Sequence, residues 1–525
     1  MGSTREIVQI KDGNLNRIHQ IKNLSSIHQM VQLSNGTLKH LFELNKKDEL
    51  VCFENELIKF DNIKSINFKQ HRRFIYLVLK NGFRIILPDN FELLTIKDAK
   101  IFSKSICEFN KKDFIVLPSC YRTKHIKVEF DPWQFGDHLY VVGVKDWYLK
   151  ELSDIMTKKN LSLTDISSEL NVPYWLIRRN ASCKNSINLG YLKKFIKIYL
   201  SKNKIYEMIM YSNGLKNGPS AGKFAKLPLK YDKCLSYLDA AVVGDGHIVK
   251  NEKQSIIETT DKEYGPILQE LFYNVHKYYK GANRINLPGS LAYFYANMLG
   301  IPKGKKSKIV EFPKNALLSD NQILLNALRG IIDTDGNVFV DEKRSNFYIT
   351  SNSYMLILGI VSALLRIGIL PHIKKSNKDS TWDVGLSGFE LKRLYKKIKY
   401  LKHPRKNREL IKLRDKQHIN TKIVPDIGKV VKKSREMIGL SSVELAKKVD
   451  LSNTSTMEKL GNFSMGSAIK INKIIKNSEI DKILSKDLNW SKIVYKKEIN
   501  METKFIFPKT DSFFFLNHIP VRCCS

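Results

Sequence analysis

The stretch FIYLVLKNGFRIIL, Phe74–Leu87, places apolar residues in short alternating runs on either side of Asn81-Gly82, a dipeptide suited to closing a tight hairpin. Similar short segments fill the chain to about Ser119, and the pattern predicts mostly strands there. From Trp147 to Tyr199 the apolar spacing becomes helical. NGLKNGPSAGKFAKLP, Asn213–Pro228, has the Gly, Pro and Lys content of a linker. Mixed α/β sequence follows to about Asn420, helical sequence returns from about Ile427 to Leu484, and the tail from Lys504 is strand-like. The most apolar run, Tyr354–Leu365, is too short to span a bilayer and is followed by Arg366, so it predicts a buried helix.

Two internal repeats interrupt this succession. LSLTDISSELNV, Leu161–Val172, matches LSSVELAKKVDL, Leu440–Leu451, with Ile166, Leu170 and Val172 answering to Leu445, Val449 and Leu451. Small Ser167 and Ala446 fall where two helices would cross closely. Each copy predicts helix, tight turn and second helix, the layout of a helix-turn-helix, with Arg178, Arg179 and Lys459 placed to reach phosphates or bases. Either copy alone reads equally well as a plain helical hairpin.

The second repeat carries the chemistry. LDAAVVGDG, residues 238–246, and LRGIIDTDG, residues 328–336, put Asp245 and Asp335 at the same place in each copy, 335 − 245 = 90 residues apart. A single helix ending in Asp-Gly is ordinarily a cap and turn. Doubled, the pattern says more. Ala240 and Gly244, or Gly330 and Thr334, share one helical face and let two backbones approach. Leu238, Ala241 and Val242, with Leu328, Ile331 and Ile332, would point into the core of each half. Two such helices crossing at a pseudo-twofold axis bring both C-terminal ends together, and with them two carboxylates. These repel unless a cation joins them, and hard divalent ions suit such oxygens. A carboxylate pair bridging such ions between two phosphodiesters is a hydrolytic site.

Composition favours that substrate. Lys+Arg of 88 against Asp+Glu of 52 leaves 88 − 52 = +36, with a pI near 9.7, an excess that favours a polyanion. Between Leu391 and Asn420, twelve Lys/Arg against two acidic residues give 12 − 2 = +10, as a backbone-gripping surface requires. The start, MGSTRE, has Glu6 where a myristoylation signal needs Ser or Thr, and no apolar signal core follows. Seven cysteines, Cys52, Cys107, Cys120, Cys183, Cys234, Cys523 and Cys524, lack paired-ligand spacing, which argues for a reducing compartment, nucleus or DNA-containing cytoplasm, and against a zinc site. At 525 residues the chain needs several cores.

The doubled motif resembles that of LAGLIDADG homing endonucleases of the intein type. YITSNSYMLILGIVSALLRIGILPHIKK, Tyr348–Lys375, and LGIPKGKKSKIVEFP, Leu299–Pro313, are similar to the segments that follow and precede the second motif in that family. The resemblance implies a multidomain α/β protein with a pseudo-twofold αββαββα core at residues 230–420. It makes Asp245 and Asp335 catalytic metal ligands for Mg²⁺ or Mn²⁺, and double-stranded DNA the substrate of a monomer. The family's active-site lysine would fall at Val310; Lys308, two residues back on the same strand face, and Lys402 or Lys406 of KHPRK are the candidates instead, as catalytic groups or phosphate clamps.

The chain ends resemble a Hint-type splicing domain, residues 1–125 and 495–525, through GSTREIVQIKDG, KDFIVLP and the tail. Met1 stands at the first nucleophile, Leu87 and Asn90 at the central Thr and His, Arg522 and Cys523 at the terminal His-Asn, and Cys524 at the downstream nucleophile. Without an Asn to cyclise, a splicing-inactive relic is expected. The helix-turn-helix segments are expected at 140–212 and 425–490. The alternatives are a non-catalytic DNA-binding regulator, an intein that still splices, or an RNA-splicing maturase.

Overall fold

The computed structural model describes residues 29–523 apart from 55–56, 183–185, 220–222, 252–253, 259–260, 279–283, 343, 377–380, 415–421, 486–487 and 511. Met1, the GSTREIVQIKDG segment, Cys183 and Cys524 lie outside the described residues. The chain divides into two compact units, one of Met1–His125, Gly336–Tyr400 and Arg408–Ser525, the other of Ile126–Asp335 with Leu401–Asn407.

In the first unit, the alternating segments form a twelve-stranded sheet built from both ends of the chain. The long strand Leu488–Lys509 pairs antiparallel with Ser65–Leu79 and with Phe114–Pro118, while Ile519–Cys523 pairs with Phe91–Lys97. Phe74, Leu77, Leu87, Phe91, Phe515 and Val521 are buried in its core. Gly82 closes the hairpin at φ +84°, and a Cβ there would fall 1.7 Å from the Ile373 carbonyl oxygen, so only glycine fits. The strand following Asp335 begins a four-stranded antiparallel sheet, Gly336–Val340, Ser345–Ser351, Trp382–Ser387 and His372–Lys375. The apolar run is a buried helix, Tyr354–Arg366, and none of the described helices is long and apolar enough to cross a membrane.

The same unit holds the second helical repeat. Ser441 opens Ser442–Lys448 with a reciprocal capping box through Glu444; Ser455–Leu460 follows, and Ala446 is buried. Its core is Val424, Ile427, Val431, Leu445, Ile471 and Ile480.

The second unit holds the first helical repeat in the same form. Ser162 and Asp165 make the capping box that opens Leu163–Leu170, Asn171 ends it in the left-handed region, and Tyr174–Ser182 follows. Ser167, buried at the crossing, donates its hydroxyl to the Val172 carbonyl at 2.6 Å. The expected linker is not one throughout: Gly214–Asn217 is a strand pairing with Leu139–Val142, and Leu215 exchanges backbone hydrogen bonds with Ala225. Leu215, Ala225 and Leu227 are buried, and that apolar anchoring overrides the Gly-Pro composition. The helices Lys233–Asp245 and Asn321–Asp335, which carry the doubled motif, complete this unit, with the three-stranded sheet Gly246–Ile248, Gln254–Glu258 and Arg284–Pro288 following the first of them.

Candidate functional site

Both motif helices are buried up to Val243 and Asp333 and half-buried at their tips, and small side chains explain how they meet. A Cβ on Gly330 would fall 2.3 Å from the Tyr237 carbonyl oxygen and 3.0 Å from Ala240 Cβ. One on Gly244 would fall 2.2 Å from Thr334 Oγ1 and 3.2 Å from Asp335 Oδ2. The backbones therefore touch at the positions the repeat singled out, and the Ser236 hydroxyl reaches across to the Ile323 carbonyl at 2.7 Å. Leu238, Ala241, Val242, Leu328, Ile331 and Ile332 are all buried.

This crossing brings Asp245 and Asp335 together. Burial, then the neighbouring Asp335 charge, raises the Asp245 carboxyl to about 6, against the pull of Lys406 and Lys306. Burial likewise raises Asp335, opposed by the same two lysines. Two half-buried acids at the negative ends of two helices are under electrostatic stress that a cation would relieve. Among the described residues, no three His, Cys, Asp or Glu side chains converge as a metal site. An ion held by this pair would need further oxygen ligands to complete its shell, which suits a hard divalent ion.

Two lysines finish the helix ends. Lys306 Nζ donates to the carbonyls of Val242, at 2.6 Å, Val243, and Gly244, at 2.9 Å. Lys406 Nζ donates to those of Ile332, Asp333 and Thr334 at 3.0, 2.7 and 2.8 Å. The two carbonyl sets are related by the same offset, 332 − 242 = 90. The last carbonyls of a helix have no partner within it, and an ammonium satisfies both their lone pairs and the dipole. Burial lowers each lysine to about 8, and the nearby carboxylates resist that fall.

Lys308 is not part of this cluster. Residues 307–309 form a turn, the Ile309 and Val310 amides both donate to the Lys306 carbonyl, and Lys308 is exposed. The same-face reading assumed a strand; in a turn, a two-residue step does not return to the same face. Lys306 is the residue sequence reasoning missed, and its only signal was membership of the GKKSK run. Lys402 lies beside the site, with its ammonium 5.6 Å from the Tyr237 ring centroid.

At the places named for splicing, Asn90 Nδ2 donates to Cys523 Sγ at 3.5 Å, Arg522 pairs with Glu92 at 2.6 Å, and Leu87 is buried. Arg178, Arg179 and Lys459 are all exposed. The Arg179 guanidinium lies 5.3 Å from the centroid of the exposed Trp175 ring.

Residues 322–399 match the model of a LAGLIDADG-like domain. The chain is 24% identical over 370 residues to a glutamine–fructose-6-phosphate aminotransferase of Methanocaldococcus jannaschii, covering 67% of this chain and 32% of that protein. It is 22% identical over 386 residues to a reverse gyrase of Thermococcus kodakarensis, covering 70% of this chain and 20% of that one. The chain thus spans a third or less of these relatives. Among solved structures, I-DmoI in complex with DNA and Ca is 17% identical, covering 32% of this chain and 87% of that one at a TM-score of 0.23. A Ssp DnaB mini-intein variant is 19% identical, covering 19% and 64% at a TM-score of 0.17.

Proposed function

We propose that this chain, which carries a LAGLIDADG-like domain, is a sequence-specific, metal-dependent double-strand DNA endonuclease of intein origin in which splicing has been lost. The observation that carries the reading is the convergence of Asp245 and Asp335 on two touching helix ends, each finished by its own lysine. Asp245 and Asp335 would hold the divalent ions, Mg²⁺ or Mn²⁺. When bound, such ions polarise the scissile phosphate and lower the cost of activating water. The paired arrangement suits one cut on each strand, in a monomer with internal pseudo-twofold symmetry.

The lysines have a specific part. An ammonium carries three donors, and in both Lys306 and Lys406 all three are spent on helix carbonyls. That favours a fixed positive charge beside the carboxylates over a phosphate clamp, and it makes Lys306 the counterpart of Lys406 in place of Lys308. A basic excess of +36 supplies the general attraction to duplex DNA. The helix-turn-helix reading of both repeats rests on their shared capping boxes and on exposed Arg178, Arg179 and Lys459.

Intein origin has separate support. Two relatives named for unrelated activities match similar lengths of this chain, over a minor part of each. A match of this kind to two proteins of unrelated name is what an inserted element would give. Loss of splicing is supported by Cys523, which stands at the place of the cyclising Asn and accepts a hydrogen bond from Asn90 Nδ2.

The test is to incubate the protein and its Asp245→Asn variant with a randomised duplex library and Mg²⁺, then sequence the broken ends. Wild-type protein should give one recurrent break site, and the variant should bind that site without cutting. Wild-type-like cutting by the variant overturns the assignment. A non-catalytic DNA binder, the second reading, rests on Val310 at the family's lysine position; the Lys306 ammonium on the helix carbonyls weighs against it.

A further inference from the structure

We propose that Asp333 is a positioning residue that holds Lys406 at the end of the second motif helix, and that the first half of the core has no equivalent among the described residues. The carboxylate, on a residue 1% exposed, accepts from three donors: Tyr237 OH at 2.6 Å, the Lys402 amide at 3.0 Å and the His403 amide at 3.2 Å. The two amides immediately precede Pro404, the first residue of the helix Pro404–Ile411 that carries Lys406. Asp333 therefore fixes the backbone that leads into that helix from a distant part of the chain, beside its positive end.

Other contacts close the arrangement into a ring. The His403 imidazole stacks on Tyr264 at 5.0 Å between centroids and 10° between planes, and its Nε2 lies 3.4 Å from Asp261 Oδ2. Tyr264 OH and Tyr237 OH are 2.8 Å apart, and Tyr237 returns to Asp333. Within this ring the backbone at 402–403 has little freedom, and Lys406, one helical turn on, meets the carbonyls of Ile332, Asp333 and Thr334.

The first motif has Val243 where the second has Asp333, 333 − 243 = 90. Lys306 comes instead from an irregular segment tied down by the Gly304 amide on the Ile248 carbonyl at 2.7 Å. Losing Asp333 should thus disable one half of the core and spare the other.

Trace acetylation of the full-length protein, read lysine by lysine in the mass spectrometer, tests the placement without any DNA. In Asp333→Val, which copies the first motif, Lys406 should become about tenfold more reactive while Lys306 is unchanged. Asp333→Asn, which keeps one acceptor, should fall between and serves if the valine variant does not fold. Equal increases at both lysines, or none at Lys406, overturn the proposal. A second readout rests on the nuclease reading: on a plasmid carrying the recurrent break site, Asp333→Asn should give circles nicked in one strand where wild type gives linear product. Uniform slowing of both cuts counts against the inference. Failure of wild type to cut any duplex removes the nuclease reading, and the acetylation pattern still decides the role of Asp333.

Discussion

The two motif helices end alike and are supported differently. Asp245 and Asp335, and the carbonyl triplets beneath Lys306 and Lys406, repeat at one offset. Behind them the halves diverge. The second helix carries a buried, triply hydrogen-bonded Asp333, the first Val243; the first buries Asp239 where the second has Arg329. One lysine arrives on a helix, the other on an irregular segment. The chemistry at the tip constrains which atoms arrive, while the route by which the chain delivers them is free to vary.

The sharpest way to break this comparison is at its matched centre. Asp245→Asn and Asp335→Asn should each lower cleavage by about a thousandfold with DNA affinity retained, measured by product yield and gel shift on the same duplex. If one substitution leaves both strands cut at the normal rate, the halves do not share a site. Next come the lysines. Lys306→Met and Lys406→Met should each cost about a hundredfold in cutting rate. Lys308→Met, on an exposed turn, should change stability by about 0.5 kcal/mol or less and leave cutting near wild type. Reversal of the Lys306 and Lys308 results would restore the strand reading of that segment.

Asp239 sharpens the contrast through pH. Burial raises its carboxyl to about 7, with Tyr231 OH donating to one oxygen and the other finding no partner among the described residues. Because the folded value exceeds the unfolded one of about 4, the folded state holds the extra proton between them. This contribution to stability is full below about pH 4 and is lost as pH rises to about 7. Asp239→Asn should therefore gain about 3 kcal/mol on wild type between pH 5 and pH 8, by urea denaturation at each pH. His276, lowered to about 4, slopes the other way but is common to both proteins and cancels. A constant difference would mean that Asp239 keeps its charge on burial.

The glycines should give a smaller effect than Asp239. Gly330→Ala drives a methyl into a backbone carbonyl, whereas Gly244→Ala meets the Thr334 side chain. The former should cost about 2 kcal/mol and the latter about 1 kcal/mol, each reduced by alanine's better helix propensity. A Thr334→Ala background should shrink the Gly244→Ala cost and leave that of Gly330→Ala unchanged.

Much of this was legible in the residues because repetition is an internal control. A single Asp-Gly after a helix has an ordinary explanation, but two copies with small residues on the same face require a shared contact, and Gly244, Gly330 and Thr334 form it. The strands toward both chain ends, the buried helix Tyr354–Arg366 and the two helical repeats followed from apolar spacing; the capping boxes of Ser162 and Ser441 were not read from it. These features depend on neighbours a few residues away, which is the range over which pattern is informative.

What lay beyond that range belonged to the tertiary structure. Lys306, Lys308 and Lys406 are chemically identical, and only the path of an irregular segment and the start of a distant helix determine which ammonium reaches a helix end. Asp333 looks in sequence like one more acid before a turn; its partners at Tyr237 and residues 402–403 are separated from it by 96, 69 and 70 positions. Gly214–Asn217, in a stretch of linker composition, became a strand because buried Leu215 and a partner strand outweigh local preference. The sequence by itself determined that two acids must meet at two matched helix ends, since small residues and period leave few alternatives. Which cations and hydrogen bonds support them was decided only in three dimensions, where contacts between remote residues fix the energy of each charge.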